Sequence, residues 1–361
     1  MNGPAKKTHI KALGRAGLEQ WVSTLGEKPY RARQLWKWLI QRGAVSFSDM
    51  TDLSKAFRAR LEATAEIKSL RQVSADGSRD TGAVKFLWEC PDGNRIESVH
   101  IPEGDRRTVC ISSQVGCGLG CLFCATGRLG FTRNLESWEI LDQVIGVRRE
   151  TGAAPTNIVV MGMGEPFLNY DAVMDALAVM NDPEGLAIGH RKITVSTAGV
   201  IPGLLRFTEE NRPYKLAVSL NAATDGLRTR IMPVNRKYPI AALMEAVRAY
   251  SRAPGRRVTF EYVLLAGLND SREDASRLLA LLRGLPCKVN LIPYNPAVGG
   301  FQRPDEDRVE RFLEWIKPLR SPVIVRWSRG ADIGAACGQL AGSRPDRQDS
   351  PAFEGPTGGL R

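Results

Sequence analysis

The chain changes its hydrophobic period twice. Over residues 10–66 the apolar positions recur at helical spacing. Leu35, Trp38 and Leu39 stand at i, i+3 and i+4 in the segment after Pro29, and Phe57 and Leu61 repeat the pattern between Ser54 and Ala65. A proline at the first helical position suits its fixed φ and missing N–H. Arg31, Arg33 and Lys37 fall off the apolar stripe, so the pattern predicts a small helical bundle with basic outer faces. Trp36 and Trp38 are expected in core or interface packing rather than as base-stacking residues. Residues 68–102 then change period. Gly82–Cys90 and Arg95–Ile101 read as strands on either side of the turn Pro91-Asp-Gly-Asn94, which makes a β-hairpin.

From residue 108 strands and helices alternate. Strands are expected at Thr108–Ser113, Asn157–Met161, Lys192–Ser196, Lys215–Leu220, Arg257–Leu265, Lys288–Pro293 and Val323–Trp327. Helices are expected at Ser137–Glu150, Tyr170–Met180, Ile240–Ser251, Ser271–Leu282 and Asp305–Pro318. Repeated βα units imply an α/β fold with a parallel sheet. About seven strands are fewer than the eight of a closed barrel, so a partial barrel of the (β/α)6 type fits. The expected organisation is a helical accessory domain over 1–67, a hairpin linker over 68–102, a core over 103–340 and a disordered polar tail over 341–361.

Composition narrows the function classes. With 361 residues and 43% apolar content the chain supports a large core plus a smaller unit. The net charge is +11, and residues 1–89 hold 16 basic against 9 acidic side chains. That concentration points to a polyanionic partner such as nucleic acid, although an ordinary solvated basic surface carries the same signature. Seven cysteines in a chain this long do not make a disulfide scaffold. Thiols that must stay reduced place it in the cytoplasm. No apolar run reaches the length of a membrane span, and the N-terminus lacks the apolar region of a secretion signal.

The chemistry concentrates in Cys117-Gly-Leu-Gly-Cys121-Leu-Phe-Cys124. Thiolates favour iron–sulfur clusters and zinc. Four would close a site, whereas three leave one iron of a [4Fe–4S] cluster open to chelate a substrate such as S-adenosylmethionine (SAM). Structural zinc usually takes paired CxxC motifs, and no second pair exists here. Other polar and small residues gather where the strands end: Gly162-Met-Gly-Glu-Pro, Ser196-Thr-Ala-Gly, Ser219-Leu-Asn221 and Leu291-Ile-Pro-Tyr-Asn-Pro. Such ends carry the reactive groups of parallel βα folds, although each alone could be a turn or a cap.

The cysteine triplet, with Phe123 before its third member, resembles the signature of the radical SAM superfamily. Further motifs make the resemblance specific. Tyr30-Arg-Ala-Arg-Gln-Leu, Ile101-Pro-Glu, Cys110-Ile-Ser-Ser-Gln-Val-Gly-Cys117 and Arg329-Gly-Ala-Asp-Ile, together with the strand-end motifs above, resemble the RlmN family of radical SAM RNA adenine C2-methyltransferases. That resemblance implies a [4Fe–4S] cluster on Cys117, Cys121 and Cys124, with SAM held by Gly164, Glu165, Ser196, Ser219, Leu220, Asn221 and Asn295. It implies Cys337 as the methyl-carrying cysteine, Cys110 as its redox partner and Glu97 as proton acceptor. The implied partners are 23S rRNA, tRNA and an electron donor such as flavodoxin or ferredoxin, with the chain acting as a monomer. Asn221 departs from the pattern, since some members carry His there. A sister group that methylates adenine C8 shares the cysteines. A noncatalytic RNA binder with a structural cluster would instead have a fourth cluster ligand and no SAM cleavage. A peptide-modifying radical SAM enzyme commonly carries extra C-terminal cysteine clusters, where this chain has only Cys337.

Overall fold

The computed structural model describes residues 7–298 and 300–342. Ten strands form one sheet, here β1 (Arg71–Gly77), β2 (Val84–Glu89), β3 (Arg95–Glu103), β4 (Arg106–Cys110), β5 (Asn157–Val160), β6 (Ile193–Thr197), β7 (Lys215–Ser219), β8 (Val258–Leu264), β9 (Cys287–Pro293) and β10 (Val323–Val325). They lie side by side in chain order. Strands β4 to β10 are mutually parallel. Six of these are each followed by helix before the next begins, and β10 is a short seventh. Parallel neighbours joined in chain order cross over right-handed as a rule, which places the connecting helices on one face of the sheet. The sheet therefore curls as a partial barrel. The sheet strands are nearly continuous apolar runs on their inner positions; Leu216, Ala217 and Val218 are all fully buried, as a parallel sheet covered by helices requires.

The expected hairpin is present as β2 paired with β3, and two features extend it. A further strand, β1, pairs with β2 across a bulge between Gln72 and Ser74. Strand β3 also pairs antiparallel with β4, so the meander continues the core's own sheet. The polar tail expected from 341 lies outside the described residues except for Ala341 and Gly342.

Residues 8–66 form three helices, Gly14–Thr24, Pro29–Trp36 and Lys55–Thr64, closed by a short parallel pairing of Thr8–His9 with Ala65–Glu66. Leu35, Leu39, Phe57 and Leu61 are buried as the periodicity requires. Trp36 is buried, and its indole N–H donates to the Glu184 carbonyl of the core (3.0 Å), which makes it an interface residue. A buried ion pair, Lys11 with Asp142 at 2.6 Å, fastens the unit to the helix Ser137–Thr151. Among the described residues no helix is long and apolar enough to cross a membrane.

Candidate active site

The parallel strands end at one cavity. After β4 the chain enters a two-stranded ribbon, Gln114–Cys117 with Gly130–Asn134, and the cysteine loop lies between its arms. A short helix, Ala125–Leu129, follows Cys124. A Cβ on Gly127 would stand 2.9 Å from both the amide nitrogen and the carbonyl oxygen of Cys121. Only glycine lets this helix close on the cysteine loop. Cys117, Cys121 and Cys124 all line the cavity.

Opposite them lie the strand ends. Gly164 has φ +100°, and a Cβ there would meet Gln114 at 2.6 Å. That close approach lets the Gln114 amide oxygen accept from the Glu165 N–H (2.9 Å). Glu165 is buried, and its carboxylate accepts from the N–H groups of Phe167 (3.1 Å) and Ala198 (2.8 Å). Burial still pushes its carboxyl up to about 7, because the charged form has lost water. Ser196, Ser219, Asn221 and Asn295 line the same cavity. Asn221 adopts a left-handed φ of 57°, a conformation asparagine tolerates. Its amide oxygen accepts from the Val263 N–H (2.9 Å) and its amide nitrogen faces the Met232 sulfur. The side chain that replaces the His of some relatives thus ties β7 to β8. Asn295 donates to Ser328 (2.8 Å), while its amide oxygen is buried without a partner among the described residues.

Cys337 lies in the loop after the short turn Ala331–Ile333, exposed to this cavity. Cys110 is buried at the end of β4. Burial, then the charge of Cys337, pushes its thiol up to about 12. The two cysteines are therefore electrostatic neighbours, although 227 residues separate them. Three residues of the expected set do not line the cavity. Cys110 lies beneath it, and Leu220 is a fully buried core side chain. Glu97 is buried with its carboxylate turned to the backbone of Ala341 and Gly342.

Three thiols lining one cavity are the ligand type that iron–sulfur clusters take, although among the described residues no three ligating side chains already converge on one metal position. Burial pushes the Cys117 thiol up to about 12, with Glu165 and Cys124 adding to the effect, and pushes Cys121 well above the usual range, with Cys124 and Cys117 adding to it. Three thiolates here need a cationic partner, which metal ligation supplies. The orphaned acceptor of Asn295 fits a further ligand with a donor group.

Two residues escape the sequence reading. Glu261 is a buried carboxylate on the cavity wall, held by the Asn290 amide at 2.8 Å. Its signal was a charge at an inward position of an apolar strand. Arg228 is fully buried and donates to the carbonyls of Ala198 (2.7 Å), Ser219 (3.2 Å) and Leu220 (3.0 Å) and to the Asn235 amide oxygen (2.9 Å). It staples together the ends of β6 and β7. Nothing in its own helix marks it.

Comparison with known proteins agrees with this geometry. Residues 8–67 match the family described as Ribosomal RNA large subunit methyltransferase N-terminal domain, and residues 111–279 match the Radical SAM superfamily. The chain is 48% identical over 341 residues to the dual-specificity RNA methyltransferase RlmN of Anaeromyxobacter dehalogenans, covering 92% of this chain and 91% of that protein. It is 50% identical over 334 residues to the protein of the same name from Geobacter sulfurreducens, covering 92% of each. The crystal structure of a radical SAM methyltransferase from Sphaerobacter thermophilus superposes with a TM-score of 0.89 at 46% identity, over 93% of this chain and all of that one. The fold, the cysteine-lined cavity and these relatives together show that the chain belongs to the RlmN family of radical SAM RNA methyltransferases.

Proposed function

We propose that the chain methylates C2 of adenine in 23S rRNA and in tRNA through an S-methylcysteine at Cys337, using two molecules of SAM. The observation that supports this most is that one cavity is lined by the cysteine triplet, by Glu165 and by Cys337. Adenine C2 has no nucleophilic lone pair, so direct methyl transfer lacks a nucleophile. A cysteine thiolate is a competent one. When bound, the reduced cluster and SAM supply the methyl group and the radical that takes hydrogen from it.

The residues have distinct tasks. Cys117, Cys121 and Cys124 hold the cluster. Glu165 accepts from the amino group of SAM, and Ser196, Ser219, Asn221 and Asn295 offer polar contacts to the rest of it. Leu220, which is not on the cavity wall, contributes only backbone. Cys337 accepts a methyl group, presents it, and becomes joined through its carbon to the base. Addition to C2 leaves one unpaired electron, which returns to the cluster when it is bound. Cys110 then attacks the Cys337 sulfur and breaks its bond to the added carbon. That carbon takes a proton to become the methyl group as C2 gives up its own proton, for which Glu97 is the candidate acceptor. A Cys110–Cys337 disulfide remains for an external electron donor to reduce. The two sulfurs must come within disulfide reach, which suits the electrostatic coupling between them. The basic N-terminal unit holds RNA phosphates.

The test is anaerobic reconstitution with iron, sulfide, labelled SAM and a ribosomal RNA fragment, followed by nucleoside mass spectrometry against 2-methyladenosine and 8-methyladenosine standards. Label in 2-methyladenosine supports the reading. Label in the 8-isomer assigns the chain to the sister chemistry, and unlabelled RNA beside cleaved SAM rejects an RNA substrate.

A further inference from the structure

The loops that follow β7 and β8 have two sides. One side carries Ser219 and Asn221 and faces the cysteine-lined cavity. The other opens a separate cleft of about 480 Å³, lined by Thr224, Gly226, Gly267 and the start of the helix Arg272–Leu282. Asn269 joins the two sides. It is fully buried, and its amide nitrogen donates to the carbonyls of Asn221 (2.8 Å) and Val263 (2.7 Å) while its oxygen accepts from the Leu265 N–H (2.7 Å). The helix Asp225–Ile231 also serves both sides: Arg228 staples the strand ends, and Arg230 lines the cleft. Cleft and cavity are therefore fixed relative to one another.

The cleft is rich in unfilled donors. Arg230, Arg277 and Arg308 reach it from three different helices. Arg230 is exposed and has no hydrogen bond or ion pair among the described residues. Arg277 meets Asp274 at 3.5 Å and Arg308 meets Asp270 at 3.9 Å, both longer than a good hydrogen bond. The two carboxylates are committed elsewhere. Asp270 accepts from the Gly267 N–H (3.0 Å), and Asp274 accepts from the N–H (3.2 Å) and hydroxyl (2.7 Å) of Ser271. They brace the loop and cap the helix. Each guanidinium carries five N–H donors, so most of the donors around the cleft are open, and three cations outnumber two anions there.

We propose that this cleft seats a backbone phosphate of the RNA strand whose adenine enters the cavity, with Arg230, Arg277 and Arg308 as positioning residues. The inference rests on RNA being the substrate. Guanidinium forks match phosphate oxygens in pairs. A phosphate contact reads no base, but it sets the register of the strand. Because Asn269 and the helix of Arg228 tie the cleft to the cavity wall, a phosphate held here fixes where the neighbouring nucleotides lie relative to Cys337. The N-terminal unit packs on the helix between β4 and β5, whereas the cleft lies beyond β7 and β8. The two grip the RNA at separate places.

The test measures binding of the ribosomal RNA fragment to the full-length, cluster-loaded protein without SAM, across a salt series. Replacing Arg230, Arg277 and Arg308 together with glutamine should weaken binding at least about tenfold and lower the salt slope by about 0.7–0.9, one phosphate contact. Arg248, Arg252 and Arg283 are exposed at the C-terminal ends of the helices Ile240–Ser251 and Arg272–Leu282, away from the strand ends. Replacing those three with glutamine removes the same charge and should leave binding within about threefold of wild type. Neutralising the RNA gives an arm with the wild-type protein. Among fragments that each carry one methylphosphonate linkage near the adenine, one should bind wild type about tenfold more weakly, yet bind the cleft variant as well as unmodified RNA does. Wild-type affinity in the cleft variant, or equal weakening by the two triple replacements, would overturn the seat. Inorganic phosphate or ATP bound in the cleft without competing with RNA would also overturn it, by assigning the cleft to a free anion. A wild-type protein that binds no RNA rejects the proposed function and the seat together, whereas the other adverse outcomes reject the seat alone.

Discussion

Replacing Arg228 with leucine probes the cavity's least visible support. The guanidinium makes four hydrogen bonds, three of them to the carbonyls that end β6 and β7. Bonds from a charged donor contribute about 1.5–3 kcal/mol each. Against them stands burial, which pushes the guanidinium down to about 10 and so costs on the order of 3 kcal/mol. Leucine removes both effects and leaves buried carbonyls without a donor. The net loss expected is about 3–5 kcal/mol, the range seen when a buried charged network is broken. Urea unfolding of the cluster-free protein reads this directly, and Arg228→Lys should fall between leucine and wild type. Because Ser219 lines the cavity, SAM affinity should also drop at least about tenfold in the folded variant. A leucine variant within about 1 kcal/mol of wild type, with unchanged SAM binding, would show that the strand ends hold without the staple.

Other expectations follow from the same geometry. Glu165 titrates near 7 in the folded chain and near 4.5 when unfolded, so the folded state holds a proton that the unfolded state has lost between those values. Wild-type stability should therefore fall by up to about 1.4 kcal/mol per pH unit from pH 4.5 to 7 relative to Glu165→Gln, and chemical unfolding of both proteins at pH 5 and pH 8 checks the sign. Alanine at any one of Cys117, Cys121 or Cys124 should abolish iron retention and SAM cleavage while leaving the far-ultraviolet circular dichroism near wild type. In the N-terminal unit Arg31 is occupied by Gln34, Glu27 and the rings of Tyr30 and Phe57, whereas Arg33 and Lys37 are exposed. Reversing Arg33 and Lys37 should weaken RNA binding and flatten its salt dependence by up to about 0.7–0.9 per lost phosphate contact; an unchanged slope would place both side chains away from RNA.

The elements that were legible are those whose pattern is local. Ile240–Ser251 is a helix over the residues its periodicity marks, and Asp305 and Ser271 are side-chain caps at the starts of two others. Strand β1 was missed because none of its positions is buried and its sequence Arg-Gln-Val-Ser-Ala-Asp-Gly carries no marked apolar alternation. The ribbon Gln114–Cys117 and Gly130–Asn134 was missed because its pairing spans the cysteine loop. Most of the cavity was readable because parallel strands deliver their ends to one place, which turns scattered short motifs into a single wall. What stayed hidden were groups whose role lies in distant backbone: Arg228, whose helix reads as an ordinary charged surface, and the contacts of Glu97 with Ala341 and Gly342, 244 and 245 positions away. Sequence spacing carries no trace of a hydrogen bond to a main chain that far off.

The central claim is that Cys337 carries carbon to RNA and Cys110 releases it. Purifying Cys110→Ala from cells and running it on a denaturing gel, with and without ribonuclease, tests that most directly. With addition intact and release blocked, RNA should remain bound to the protein, and peptide mass spectrometry should find the nucleotide on Cys337. Two buried structural cysteines would give no adduct. Absence of RNA on Cys337, in a Cys110→Ala protein that retains its cluster and cleaves SAM, would contradict the account.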